Sequence, residues 1–186
     1  MAEAIAEKIV DGVDVNKLES TVNAIKGDPE IGECKFRIHN KWIEGAYSHS
    51  NALTFYAAKK ENEHLSEFEW DGDEPPLLAG KDRGPNPVEH LLNALAICVT
   101  TTMVYHAAIR GIKIDELESD LEGELNLQGL FGLSSDVRPG FRNITMNYKI
   151  KTEEENLDKL KAFSKFSPVF DMVTHQTNVD VRVQRK

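Results

Sequence analysis

The feature that most constrains this chain is an uncharged stretch at residues 91–109, LLNALAICVTTTMVYHAAI, which contains no Asp, Glu, Lys or Arg. Its length approaches the roughly 20 mostly apolar residues that a membrane-spanning helix needs. Asn93, three Thr residues and His106 lower its hydropathy. We therefore expect a central helix that is apolar on most faces and buried inside a globular domain or a dimer, with a membrane span as the alternative.

The residues around this stretch predict where the helix begins and ends. Asn86 is a good N-cap, Pro87 suits the first helical position, and Glu89 lies three residues after the cap. This is an Asn-led version of the capping box. Gly111 is the expected stop, so the helix should end near Arg110 and be about 35 Å long.

Composition excludes several classes of protein. The chain has 31 acidic residues against 22 Lys and Arg and a formal charge of −9. Without a basic excess, neither nucleic acid nor an anionic membrane is an expected partner. Two cysteines exclude a disulfide framework and a cysteine-based zinc site, and they favour a reducing compartment, the cytoplasm. The start, MAEAIAEKIVDG, reads as helical and acidic and lacks the features of a secretory signal.

The first part of the chain predicts a helical extension followed by a strand meander. Residues 15–26 have helical periodicity with Asp14 as N-cap, and GDPEIG follows as a linker. We therefore divide the chain into an N-terminal extension and linker, 1–32, and a main domain, 33–186. Alternation after Glu33 predicts three or four antiparallel strands up to Asp73, namely a first strand through Cys34–Ile38, then 42–48, 52–58 and 64–70. Residues 71–87 hold four Pro and three Gly and predict a loop.

The part after the long helix predicts two strands, two helices and a last strand. A strand is expected within 112–128, where a Leu spacing of four also suits a helix, and a second strand over 141–150. Thr152 and Glu155 suggest a capping box for a helix with Leu157, Leu160 and Phe163 on one face. A short helix should begin at Ser167-Pro168, and the alternating Val residues of 178–184 predict the final strand. The order of elements indicates an α+β fold.

Cys98 is the first candidate for chemistry, because it lies near the middle of the long helix. A free Cys is most often an inert, buried apolar residue, and a reactive one needs a cation or hydrogen-bond donor from another segment. Glu89 lies nine residues away, about 13.5 Å along the axis and half a turn around it. An acid near Cys98 must therefore come from another segment or a second chain. Cys34 alternates with Phe36 and Ile38, so we expect it in the core.

No cofactor or metal site is expected from the sequence. The six His residues are scattered, and no pair has the spacing of a zinc-binding helix. His106 on the long helix is better explained as a core His than as a ligand. Neither a phosphate-binding loop nor a GxSxG elbow is present.

The segment GPNPVEHLLNALAICVTTTMVYHAAIRGI, residues 84–112, resembles the osmotically inducible protein C and organic hydroperoxide resistance (OsmC/Ohr) family. The preceding meander and the SPVFDMV…VDVRV ending extend the resemblance to about residues 35–185. It implies an α+β OsmC-like fold, with antiparallel sheets around long central helices in an intertwined homodimer. It also implies a thiol peroxidase that reduces organic hydroperoxides in oxidative-stress defence, whose peroxidatic cysteine matches Cys98.

The chain departs from the family pattern at three positions. Ser167 occupies the place of the family's second cysteine, so an external thiol, or Cys34, would have to reduce Cys98. Val88 occupies the place of the catalytic Glu, and Glu89, reaching Cys98 from a partner chain, is its substitute candidate. Arg83 and Arg37 are the nearest candidates for the activating Arg. The alternative function is a non-catalytic relative that binds an apolar small molecule in a dimer-interface pocket, with Cys98 in its wall.

Overall fold

A computed structural model describes residues 8–186, which form two compact units divided at Leu91 and Leu92. The proposed boundary between residues 32 and 33 stays a prediction. Of the helix expected at the N-terminus, residues 1–7 lie outside the described residues. Ile9–Val10 forms a strand instead, because Asp11 and Gly12 adopt positive φ angles of 48° and 80° and turn the chain.

The first unit opens with a two-stranded hairpin and a helix. Strands β1 (Ile9–Val10) and β2 (Val13–Asp14) pair antiparallel and lead into helix α1 (Val15–Gly27). The Asp14 carboxylate accepts the Lys17 backbone N–H at 2.9 Å, so the predicted helix and its cap are confirmed.

An antiparallel meander follows, and it is divided more finely than the pattern predicted. A three-stranded sheet has the order β3-β4-β7, and a separate hairpin is formed by β5 and β6. Gly45, with φ of 54°, turns the chain inside the predicted strand 42–48, and Ala58 and Lys59 turn it again. Residues 34–37 and 64–68 contain no strand. The strands are β3 (Ile38–Glu44), β4 (Tyr47–Ala52), β5 (Phe55–Ala57), β6 (Lys60–Asn62) and β7 (Glu69–Gly72).

Helix α2 (Pro87–Ile109) begins in the first unit and continues into the second. It ends before Gly111, whose φ of 68° fits the predicted stop. Leu95, Val99, Met103 and Ala107, spaced four residues apart, form its buried stripe. Ile97 and Tyr105 are exposed in the single chain, so burial of these side chains in a dimer stays a prediction.

By length and composition alone, α2 could cross a membrane. Its most apolar window has a mean hydropathy of 1.5, and 28% of that window is buried. Core helices of soluble proteins pass the same test, so this is weak evidence for a span.

The second unit packs α2 against a two-stranded sheet. Strands β8 (Glu116–Glu124) and β9 (Asn143–Lys151) pair antiparallel over their whole length, and both were predicted. Their alternate side chains are half-buried and pack against the buried stripe of α2, while the outer face carries charged residues. A one-turn helix, α3 (Leu127–Leu130), lies in the connection between the strands.

Two short helices complete this unit, and two local predictions are wrong. Helix α4 (Leu157–Phe163) buries Leu160 and Phe163, and α5 (Pro168–Thr174) starts as expected. The predicted capping box does not form, because the Thr152 hydroxyl donates instead to the Lys113 carbonyl at 2.7 Å. The predicted last strand is not formed either: residues 178–184 have no strand partner within the described chain.

Candidate functional site

Cys98 lies on one flank of α2, between the buried stripe and the exposed side of the helix. Its thiol is free, and the residue is half-buried. Helical spacing places Ala94, Thr101 and Tyr105 on its exposed side and Leu95 on its buried side. The Thr102 hydroxyl donates to the Cys98 carbonyl at 2.7 Å, which ties the turn that follows the thiol. Cys98 is therefore a partly buried residue beside apolar side chains of the same helix.

Glu89 is engaged in capping α2. Its carboxylate accepts the Asn86 backbone N–H at 2.8 Å, and the Asn86 side chain accepts the Glu89 backbone N–H at 2.9 Å. These reciprocal bonds are the predicted capping box. They account for Glu89 structurally, and a catalytic task for this carboxylate stays a prediction.

Ser167 is fully buried and caps α5. Its hydroxyl accepts the Phe170 backbone N–H at 3.2 Å, as the Ser-Pro sequence predicted. The cap gives the hydroxyl a structural role, and a serine oxygen cannot take part in a disulfide exchange.

Arg83 is held in place by two carboxylates and a ring. Its Nε donates to Asp73 at 3.0 Å and its Nη1 to Glu44 at 2.8 Å. The guanidinium carbon lies 4.0 Å from the centre of the Tyr47 ring, a cation–π contact. Arg83 is therefore a preorganised cation, with 33% of its side chain exposed, in the loop that leads into α2.

Asp73 is the buried centre of this loop, a role that was not predicted from the sequence. Besides Arg83, it accepts the backbone N–H groups of Glu74, Lys81 and Arg83. Burial alone would raise its pKa, but the hydrogen bonds from Arg83 and the backbone outweigh burial and lower the pKa of Asp73 to about 2. An Asp before a Pro-rich loop is the local signal that could have identified it.

A second set of polar contacts extends from Asp71. Its carboxylate accepts the Tyr47 hydroxyl at 2.8 Å and lies 2.9 Å from Nδ1 of His49. The hydrogen bond to Asp71 raises the pKa of His49. The His90 ring lies 3.0 Å from the Asp71 carbonyl, so this set reaches the first turn of α2.

The remaining predicted candidates lie elsewhere in the first unit. Arg37 donates to both oxygens of Glu61 and to the Thr54 carbonyl, so its guanidinium is occupied. Cys34 is exposed, not in the core as predicted, because residues 34–37 do not continue the strand that would have placed it on the apolar face.

His106 is half-buried in an aromatic stack at the end of α2. Its ring lies 4.5 Å from the Phe166 ring and 5.1 Å from the Phe163 ring, centre to centre. The Arg110 guanidinium donates to His106 Nδ1 at 3.0 Å, which requires an unprotonated nitrogen there. Within residues 8–186, no three His, Cys, Asp or Glu side chains are grouped to hold a metal ion.

Comparison with known proteins identifies the family. The family model described as OsmC-like protein matches residues 80–182, a segment that includes Cys98. No curated protein gives a match to the chain.

Solved structures share the fold at low sequence identity. An OsmC-like protein from Mycoplasma pneumoniae is 21% identical, with a TM-score of 0.55 over 76% of this chain and 89% of its own. An organic hydroperoxide resistance protein, OsmC, from Legionella pneumophila is 15% identical, with a TM-score of 0.52 over 75% and 88%. An OsmC-like protein of unknown function from Vibrio cholerae is 10% identical, with a TM-score of 0.53 over 77% and 94%.

These structures match the mixed α+β fold described above, with its small antiparallel sheets and its helices. The family match spans more than half of the 186 residues. The chain therefore belongs to the OsmC-like protein family.

Proposed function

We propose that this protein is a one-cysteine thiol peroxidase that reduces organic hydroperoxides in oxidative-stress defence, with Cys98 as the peroxidatic residue. The observation that carries the proposal is the free thiol of the half-buried Cys98 inside the matched segment 80–182. The Legionella pneumophila structure is that of an organic hydroperoxide resistance protein, which supports the same class of substrate.

The proposed reaction begins with attack of the Cys98 thiolate on the distal oxygen of the peroxide. An S–O bond forms, the O–O bond breaks, and the alkoxide takes up a proton and leaves as an alcohol. Sulfur is oxidised to sulfenic acid, and the peroxide is reduced. The exposed apolar side chains beside Cys98 on α2 favour an apolar organic group on the peroxide.

The Cys98 sulfenic acid must then be reduced to the thiol. A first external thiol displaces water from the sulfenic acid and forms a mixed disulfide. A second external thiol releases Cys98 and leaves as the small disulfide. Because Ser167 lacks a sulfur atom, we assign this step to an external thiol rather than to position 167.

Activation of Cys98 needs a neighbouring cation, and we retain Arg83 for that role. Arg83 is preorganised by Asp73, Glu44 and Tyr47. A guanidinium beside a thiol lowers the thiol pKa by stabilising the thiolate. Glu89 contributed by a second copy of the chain is the proposed acid, and it would have to leave its capping box to act.

We also propose that the protein works as a homodimer in the cytoplasm, without nucleic acid or membrane partners. Exposed Ile97 and Tyr105 on α2 and exposed Trp42 on β3 are large apolar side chains that a second copy would cover. Two free thiols favour a reducing compartment.

A second candidate function is the binding of an apolar small molecule without catalysis. This function is favoured because the side chains considered for catalysis already have structural contacts. Glu89 caps α2, Ser167 caps α5, and Arg83 is paired with two carboxylates. In that case Cys98 would form part of a pocket wall and keep an ordinary reactivity.

Turnover of cumene hydroperoxide with dithiothreitol as reductant separates the two functions. We expect Cys98→Ser to lose turnover to the level of dithiothreitol alone. We expect Cys34→Ser to retain turnover, because Cys34 is exposed and has no role in the proposed cycle. The same conservative change at both thiols makes them matched controls.

Equal activity of the wild-type protein and Cys98→Ser would contradict the peroxidase. Native mass spectrometry of the purified protein would then show whether an apolar molecule is retained. If Cys34→Ser lost turnover while Cys98→Ser retained it, the assignment of the peroxidatic role to Cys98 would be contradicted.

A further inference from the structure

Strand β7 carries a row of carboxylates at alternating positions. Glu69 and Asp71 lie on one face of the strand, and Asp73, two residues further along the chain, continues the spacing. At one end of the row, Arg83 pairs with Asp73 at 3.0 Å. At the other end, His49 lies with Nδ1 2.9 Å from Asp71 and Nε2 3.6 Å from Glu69. Arg83 is always charged, so the charge balance of the row depends on the proton of His49.

Tyr47 connects His49 to Arg83. The Oδ1 atom of Asp71 accepts the Tyr47 hydroxyl at 2.8 Å and lies 2.9 Å from His49 Nδ1. The ring of Tyr47 lies 4.0 Å from the guanidinium carbon of Arg83. The hydrogen bond from His49, and with it the charge of Arg83, lower the pKa of Asp71. Both cations therefore act on the same carboxylate.

The Arg83 guanidinium is anchored at its inner end and exposed at its outer end. Its Nε donates to Asp73, which is 1% exposed. Its Nη1 donates to Glu44, which is 55% exposed and also accepts from Lys81 at 3.1 Å. Exposed ion pairs hold their partners weakly. A neighbouring charge can therefore turn the outer end of the guanidinium while the bond to Asp73 stays in place.

We propose that His49 is a positioning residue for Arg83. Protonated His49 neutralises Asp71 and keeps Tyr47 against the guanidinium. When His49 loses its proton, the charge of Asp71 is no longer balanced and draws the outer end of Arg83 toward it. The proposal rests on the function proposed above, in which Arg83 activates Cys98.

The two protonation states of His49 differ in their hydrogen bonds. Protonated His49 has an N–H group toward each of the two carboxylates, whereas neutral His49 keeps only one N–H and turns a lone pair toward the other carboxylate. On β3, Lys41 lies directly opposite His49, and His39 lies two residues before Lys41. From α2, His90 contacts the Asp71 carbonyl. Lys41 opposes protonation, but the hydrogen bond to Asp71 outweighs it and raises the pKa of His49.

The Arg83 Nε–Hε resonance of the ¹⁵N-labelled protein reports the orientation of the guanidinium, and Arg83→Lys identifies it. We expect this resonance to shift with pH at the midpoint of the His49 ring signals. The shift should be absent in His49→Gln, and His49→Lys should hold the resonance near its low-pH position. The matched control is His90→Gln, which should leave the shift in place, because His90 contacts the Asp71 backbone and not its carboxylate.

The pH profile of kcat/KM for cumene hydroperoxide, with dithiothreitol as reductant, measures the effect on the reaction. Below the His49 pKa, we expect His49→Gln to be about fivefold slower than wild type, a factor at the lower end of couplings between sites. Above that pKa the two should be equal. His49→Lys should match wild type at low pH and exceed it at high pH. Comparing the proteins at each pH separates this effect from the ionisation of Cys98.

An Arg83 resonance that does not follow His49, or that shifts unchanged in His49→Gln, would overturn the proposal. A ratio of kcat/KM between His49→Gln and wild type that is constant with pH would also overturn it, because a merely structural role predicts that result. If the wild-type protein has no turnover, the proposed function fails. The Arg83 resonance alone then decides whether His49 positions Arg83.

Discussion

At the residue scale, the surroundings of Asp73 show that contacts between residues distant in sequence determine which charged side chains are buried and paired. Its loop position carries a turn signal, but Glu44 and Tyr47, which complete the setting of Arg83, lie 39 and 36 residues before Arg83 in the sequence. Cys34 is the opposite case, since its alternation with Phe36 and Ile38 predicted burial. The strand begins only at Ile38, and Cys34 is exposed. Local pattern determines neither result.

We expect Asp73→Asn to destabilise the protein at neutral pH, by more than Glu44→Gln. Both variants remove a carboxylate from Arg83, but only Asp73 also holds three backbone N–H groups. The folded pKa of Asp73, about 2, lies below its ordinary value of 3.8. Its contribution is therefore present above about pH 3.8 and is lost as the pH falls through about 2.

Urea unfolding of both variants across the acidic range measures this. The difference in the free energy of unfolding between wild type and Asp73→Asn should become smaller as the pH is lowered. A difference that is constant with pH would contradict the role of the Asp73 charge.

We expect Ser167→Ala to lower the free energy of unfolding by about 1 kcal/mol, because it removes the hydroxyl that caps α5. Peroxide turnover should persist, since Ser167 has no part in the proposed reaction. Urea unfolding and the turnover assay measure the two effects. A loss of turnover without a loss of stability would mean that Ser167 acts in the reaction.

At the element scale, the helices were predicted more accurately from the sequence than the strands were. The cap Asn86, the box residue Glu89 and the stop Gly111 are local signals, and they fixed α2 closely. The meander was predicted as too few strands, because positive φ angles at Gly45 and Lys59 introduce turns inside alternating stretches. Alternation of apolar and polar residues predicts which face of a strand is apolar. A turn can interrupt the strand while the alternation in the sequence continues, so the pattern does not reveal the turn.

The contact between α2 and the segment around α4 predicts a pH effect. Burial, and then the charge of Arg110, lower the pKa of His106 below its ordinary value of 6.5. Just below pH 6.5 the unfolded chain therefore binds more protons at this residue than the folded chain does. As the pH decreases through that window, the free energy of unfolding decreases. Protonation would also break the hydrogen bond from Arg110.

His106→Phe retains the aromatic stack and removes the proton site. Its stability relative to wild type should be more favourable at about pH 5 than at about pH 7.5, as measured by urea unfolding. The same relative stability at both values would contradict the burial of a neutral His106.

At the scale of the whole molecule, the helix segment 84–112 together with the SPVFDMV…VDVRV ending predicted the family, and the match over 80–182 confirms it. The surroundings of Cys98 could not be predicted, because they depend on how separate segments and a second copy meet. The exposed side chains of α2, the open edge of β3 and the C-terminal valines are surfaces that no residue from 8 to 186 covers. This is the physical reason that the account depends on a dimer.

Intact-mass analysis after addition of one equivalent of cumene hydroperoxide to the reduced protein tests the central claim most directly. The account predicts rapid oxidation to a product about 16 Da heavier, the sulfenic acid, in the wild-type protein and not in Cys98→Ser. A product about 2 Da lighter would instead indicate a Cys34–Cys98 disulfide, and so contradict reduction by an external thiol alone. Oxidation of Cys98 no faster than that of an ordinary free thiol would contradict the peroxidase.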